Sequence, residues 1–157
     1  MYRTAREFFE AAREAARDAA RISRQLDGME RRALALGGGG FEPRVRSTPD
    51  ADRIGRAVDS LLDNEAILRE RRESDYALID AACAVLYGPD NRSGLYALVG
   101  WPADAIWHHY LGLRTWEDTA DLMGYSTRHV QTCVAAALDV ADANGQMWTE
   151  LGEGMAE

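Results

Sequence analysis

The apolar positions of this chain fall into long helical stripes followed by one compact paired pattern. Phe8, Ala12, Ala15, Ala19, Ile22, Leu26, Met29, Ala33 and Leu36 alternate spacings of four and three without a break. A seam of that period predicts a helix over about 3–36 that packs in the manner of a coiled coil. Between the seam positions lie Glu10, Arg13, Glu14, Arg17, Asp18, Arg21, Arg24 and Asp27. Their opposite charges at i,i+3 and i,i+4 spacing read as a solvated face, and their interleaving argues against a nucleic-acid stripe. The alanines at 12, 15 and 19 keep the seam narrow, so a partner helix can approach closely.

Gly37 to Gly40 ends this helix and begins a loop over 37–50 that holds Pro43 and Pro49. A second long helix is expected over 51–87, capped by Asp50 or Asp52. Its first half offers Ile54, Val58, Leu61, Leu62 and Leu68 to a partner. Arg69 to Asp75 (RERRESD) interrupts the stripe, as a kink or as a straight exposed segment. Tyr76 to Tyr87 (YALIDAACAVLY) is then apolar nearly all round, as a helix embedded in a core would be. The economical arrangement is a helical hairpin; the loop equally allows the first helix to pair with another subunit.

Gly88 to Gly94 is a turn-rich connector, and Leu95 to Val99 suits a short helical turn. Pro102 fits the first position of a helix over 102–112, with Ile106, Trp107, Tyr110 and Leu111 on its apolar face. Helices over 115–123 and 126–144 follow, and the two form the most informative pattern in the chain. Thr115 with Asp118 makes a Thr-x-x-Asp capping box, and Ser126 is a second N-cap. Ala120 sits where the helices must approach, and Gly124 sits where the turn needs a positive φ. Val130, Cys133, Val134, Ala137 and Leu138 fall on one helix face. The pattern is a helix-turn-helix in a domain spanning 88–144, after an N-terminal part spanning 1–87; an acidic tail, 145–157, is expected to fray. The fold class is therefore all-α, with a long coiled-coil-like N-terminal hairpin leading into a helix-turn-helix bundle.

Charge complicates a DNA-binding role. The net charge is −8, and all 18 basic residues are arginine. Residues 101–157 hold Arg114 and Arg128 against nine acids, so the helix-turn-helix part is the acidic part. Yet Tyr125 to Leu138 contains no acid and carries Arg128, His129 and Gln131. Non-specific affinity follows the number of phosphates neutralised, so a lone monomer should bind DNA weakly. No apolar run is long enough to span a bilayer and no signal-peptide pattern opens the chain, which suits a cytoplasmic protein with no membrane partner. Cys83 and Cys133 read as two buried, reduced thiols rather than a disulfide or a metal pair.

Enzymatic chemistry has little to stand on. His108 and His109 are adjacent, so on a helix their side chains diverge by about 100° and cannot chelate one ion together. The four glycines after Leu36 lack the Lys-Ser/Thr of a phosphate loop, and no Cys-x-x-Cys or His-x-x-x-His occurs. The expectation is no catalysis, no metal and no cofactor.

From Trp107 onward the chain resembles region four of bacterial sigma factors, and more closely the small sigma-factor-like regulators of phages and prophages. The residues that carry the resemblance are His109-Tyr110, Gly112, Thr115-Trp116, Thr119-Ala120, Met123-Gly124-Tyr125-Ser126 and Arg128-His129-Val130. They cover about the last third of the chain. His109 stands where that family usually has an arginine, which removes a contact with the DNA backbone, and basic residues are scarce after Val130. The resemblance implies a regulator of transcription that reads promoter double-stranded DNA, with RNA polymerase or as a homodimer through the 8–36 seam. It places the first turns of the helix beginning at Ser126 in the major groove. Ser126, Thr127, Arg128, His129, Gln131 and Thr132 are then the DNA-contacting residues, with Arg128 suited to guanine and Gln131 to adenine. Two other readings stay open. One is a protein-interaction adapter whose acidic helix-turn-helix binds no DNA. The other is a phage packaging component of the small-terminase kind.

Overall fold

The computed structural model describes residues 2–37 and 49–145, with the side chains of all but 36, 37, 49–54 and 57. The regular elements among them are helical: α1 (Ala5–Gly37), α2 (Pro49–Tyr87), α3 (Gly94–Val99), α4 (Trp101–Ile106), which runs on into a π-helical turn (Trp107–Leu111), α5 (Trp116–Met123) and α6 (Thr127–Ala143). The chain is all-α among these residues. Most of the expected loop, 38–48, and the expected tail from 146 onward lie outside the described residues, as do the side chains of Leu36 and Ile54. None of the described helices is long and apolar enough to cross a membrane.

Packing divides the chain into two compact units, Met1–Arg17 with Asp75–Glu157 and Asp18–Ser74. The boundaries cut both long helices and do not fall at the connector after Tyr87, where the sequence suggested one. The reason lies in α1, whose largest apolar side chains are in its first turns. Phe8 and Phe9, both 0% exposed, join one core with Ala82, Val85, Leu86, Leu95, Ile106, Tyr110, Val130, Val134 and Leu138. The rings meet edge-on or tilted, Phe8 to Phe9 at 5.2 Å and Phe9 to Tyr110 at 5.9 Å, as aromatic quadrupoles prefer. The start of α1 is pinned at both its cap and its backbone. Thr4 Oγ1 accepts from the Glu7 N–H at 3.2 Å, and Asp142 Oδ1, near the end of α6, accepts from the Ala5 N–H at 2.6 Å. A carboxylate there also complements the positive end of the helix dipole. Tyr87 Oη donates to Asp104 Oδ1 at 2.7 Å and links α2 to α4; burial and that carboxylate both raise the phenol's pKa.

Two expectations for the long helices are corrected. Tyr76 to Tyr87 is not buried all round: Ala81, Ala82, Val85 and Leu86 are inside, while Tyr76 remains 46% exposed. The helices after residue 94 cover one side of this segment only. The seam of α1 also stops short. Ala19, Ile22 and Leu26 are buried in the second unit, but Met29 is half-buried and Ala33 exposed. Seam residues from Phe8 to Leu26 are thus buried within one chain, which leaves a second subunit only the last turns. In the same unit Asp18 bridges Arg71 at 2.6 Å and Arg21 at 3.0 Å, joining α2 to α1. Val58, Leu61 and Leu62 of α2 are exposed, and residues 69–75 continue the helix without interruption.

Candidate nucleic-acid interface

Helix α5 starts where the sequence placed its cap. Thr115 is extended (φ −69°, ψ 167°), and its Oγ1 accepts from the Asp118 N–H at 3.0 Å. Thr119, fully buried, donates its hydroxyl to the Thr115 carbonyl at 2.8 Å, so it brings no unsatisfied polar group into the core. The helix ends in a Schellman motif. The Tyr125 N–H reaches the Ala120 carbonyl at 3.1 Å and the Gly124 N–H reaches the Asp121 carbonyl at 3.3 Å. Gly124 is left-handed (φ 75°, ψ 27°) with open space where a Cβ would go. A side chain there would cost about 1 kcal/mol through its backbone conformation alone.

Ser126 caps α6, its Oγ accepting from the His129 N–H at 3.3 Å. Val130, Val134, Ala137, Leu138 and Ala141 are buried along one face, while Cys133 is half-buried. On the outward side Ser126, Arg128, His129, Gln131 and Thr132 are exposed and Thr127 is half-buried. Arg128 and Gln131 lie one helical turn apart. Three of the expected contact residues have local duties as well. Ser126 serves the cap, and the Thr132 hydroxyl donates to the Arg128 carbonyl at 2.9 Å. His129 is drawn back toward the turn. Its ring lies 5.1 Å from Tyr125 and 5.9 Å from Trp101, and the Cys133 sulfur is 3.6 Å from its Nε2. Trp101 and Tyr125 stack at 4.6 Å. The start of α4 therefore buttresses the turn and the first turn of α6. Nothing local in the chain marks Trp101 as part of this site, because the stack joins residues 24 positions apart.

The entry to α5 is built on the π-helical turn. It closes with the Gly112 N–H on the Trp107 carbonyl at 2.9 Å, and the Arg114 N–H then reaches the His108 carbonyl at 3.1 Å. Gly112 packs so close that a Cβ would lie 2.7 Å from the His108 carbonyl oxygen, and Leu113 takes the left-handed φ of 57° that completes the reversal. His109 stacks flat on Trp116, centroids 3.6 Å apart and planes 15° apart. Burial first, then the Arg13 guanidinium, pull its pKa down to about 4, while the Arg114 backbone pulls the other way. Burial and Arg114 also lower His108. Both imidazoles are therefore neutral at pH 7, and neither brings a charge to the surface.

Arg13, from the first turns of α1, donates a guanidinium hydrogen bond to the His109 carbonyl. The sequence had assigned this arginine to a solvated coiled-coil face. The fold brings it instead to the backbone of His109, at the π-helical turn. Arg17 lies one turn further along α1 and pairs with Glu14 at 2.5 Å. Among the described residues no group of three or more metal-ligating side chains is assembled, and the two cysteines are free and half-buried, less enclosed than expected. No protein-family model matches this chain, and no curated protein or solved structure is similar to it.

Proposed function

We propose that the protein is a DNA-binding regulator of transcription, of the phage or prophage kind, whose α6 enters the major groove. The observation that carries this reading is the pairing of α5 and α6. A left-handed Gly124 joins two side-chain-capped helices, and α6 turns Val130 and Val134 inward while Arg128, Gln131 and Thr132 face outward. That arrangement suits a recognition helix, whose first turns address base edges. Arg128 is the guanine reader and Gln131 the adenine reader, and Ser126 and Thr127 approach the phosphates. His129 acts as a support for the turn, held by Trp101 and Tyr125. With one arginine on α6, affinity for DNA is low unless RNA polymerase or a second copy adds contacts.

A mobility-shift titration at low salt against promoter fragments tests the reading, with Arg128→Ala beside the wild type. Loss of a guanine contact should weaken binding about 5- to 100-fold, most strongly on the preferred sequence. Absence of any shift with the wild type would end it. Leu122 and Tyr125, 52% and 45% exposed beside the turn, favour a second reading in which the same face docks a protein. Pull-down of purified polymerase by the wild type but not by Leu122→Asp, with no DNA shift, would select it.

A further inference from the structure

The ring of His129 is drawn back toward the turn, and a thiol of the same helix lies against it. Cys133 follows His129 by four positions, so the two side chains share one face of α6. The Cys133 sulfur is 3.6 Å from the His129 Nε2 and 4.0 Å from its Nδ1. Both donors can be reached from solvent, since His129 is exposed and Cys133 half-buried. The ring is also steadied from outside the helix. It lies 5.1 Å from Tyr125 and 5.9 Å from Trp101, which themselves stack at 4.6 Å. The stretch 122–138 holds no acid, so nitrogen and sulfur decide what this part of α6 can ligate. Arg128, one position before His129, diverges from it by about 100° around the helix.

The spacing is that of a His-x-x-x-His chelate on a helix, with a thiol in place of the second imidazole. Distance is the telling quantity. A tetrahedral ion bonded to sulfur at about 2.3 Å and to an imidazole nitrogen at about 2.1 Å holds those two atoms about 3.6 Å apart. His129 Nε2 and Cys133 Sγ already stand at that separation. Little ordering of two short side chains is then left to oppose binding.

We infer that His129 and Cys133 form a two-ligand site for a thiophilic divalent cation of the Zn²⁺ class on the outward side of α6. A thiolate beside an imidazole selects that class over Mg²⁺ and Ca²⁺, which take oxygen donors. On binding, the Sγ–H bond breaks, a sulfur–metal bond forms and the proton leaves to solvent. Two protein ligands fall short of the three or four of enclosed sites, so water completes the shell and the ion exchanges with solution. The ion and its thiolate together add one net positive charge to a helix whose single arginine is Arg128. The site stands independently of the DNA-binding reading.

Titration calorimetry with zinc chloride on the full chain, kept reduced with a phosphine, tests it. One ion should bind per chain with release of a proton, read from the difference in heat between two buffers of unlike ionisation enthalpy. Cys133→Ser should lower affinity at least about 10-fold, since loss of even an outer-shell partner costs that much. His129→Phe, which keeps a ring against Tyr125 and removes both nitrogens, should do the same. Circular dichroism establishes that the two variants fold, as expected for side chains outside the core. Cys83→Ser, which removes the other thiol, should bind as the wild type does, and magnesium chloride should give no binding heat. No zinc binding by the wild type overturns the site, as does affinity unchanged in either α6 variant. An equal loss on Cys83→Ser overturns it too, because the ion is then held by thiols at large.

Discussion

The two units use the same helices to different ends. In the unit that holds α3 to α6, the α1 and α2 segments are walls of a dense aromatic core, with Phe8, Phe9, Leu86 and Ile106 all fully buried. In the unit of residues 18–74, the same two helices bury, among the described side chains, only Ala19, Ile22 and Leu26, and leave Val58, Leu61, Leu62 and Ile67 about half exposed. Helix propensity and charge pairing are similar along both. The difference is what the helices have to pack against: several short elements at several angles enclose a large side chain, whereas two helices cover only the strip between them. Stability should therefore be concentrated in the first unit, and the site with it.

The sharpest way to break that contrast is to remove a ring from the dense core. Phe9→Ala should cost about 4 kcal/mol, read as a lower midpoint in urea unfolding followed by near-ultraviolet circular dichroism. A loss under about 1 kcal/mol would mean that the core is not the source of stability. Next in size is a pH effect confined to the same unit. His109 titrates near 6.5 when unfolded and about 4 when folded. The unfolded chain thus takes up the proton first, so this contribution is full above pH 6.5 and is lost as pH falls toward 4. It should amount to about 2 kcal/mol, since solvent screening of the incompletely enclosed ring reduces the roughly 3.4 kcal/mol of the full change, and His109→Phe, which keeps a ring against Trp116, should flatten the slope. The smallest effect belongs to the other unit. Leu61→Asn, at a position 56% exposed, should shift the unfolding free energy by less than about 0.5 kcal/mol. A larger loss that grows with protein concentration would reveal a second copy on that face.

What the sequence made legible follows the range of the interactions. Thr115, Gly124 and Ser126 were readable because caps and turns are decided by residues three to five apart. The inward face of α6 was readable for the same reason, through its 3.6-residue period. The extent of the seam was not, because an a/d pattern marks which face is apolar and not how far a partner follows it. The ring neighbours of His129 were not readable, because only tertiary packing sets Trp101 and Tyr125 beside it. Arg13 was the largest omission. Its bond to His109 spans 96 positions, and nothing local distinguishes it from Arg21 or Arg24 on the same helix.

The π-helical turn gives the molecule a property that no single contact has. Between Trp107 and Leu111 the helix carries an extra residue before the chain reverses at Gly112. Such a turn absorbs its extra residue locally, so the direction of the chain on either side is kept. What it changes is the set of carbonyls left open. The Trp107 carbonyl goes to Gly112, and those of His108 and His109 are released to Arg114 and Arg13. Losing that residue would return the segment to α-helix and withdraw these anchors, with the sequence of α5 and α6 untouched. A change of length in this one turn would therefore alter what holds the entry to α5 without re-aiming the outward face of α6.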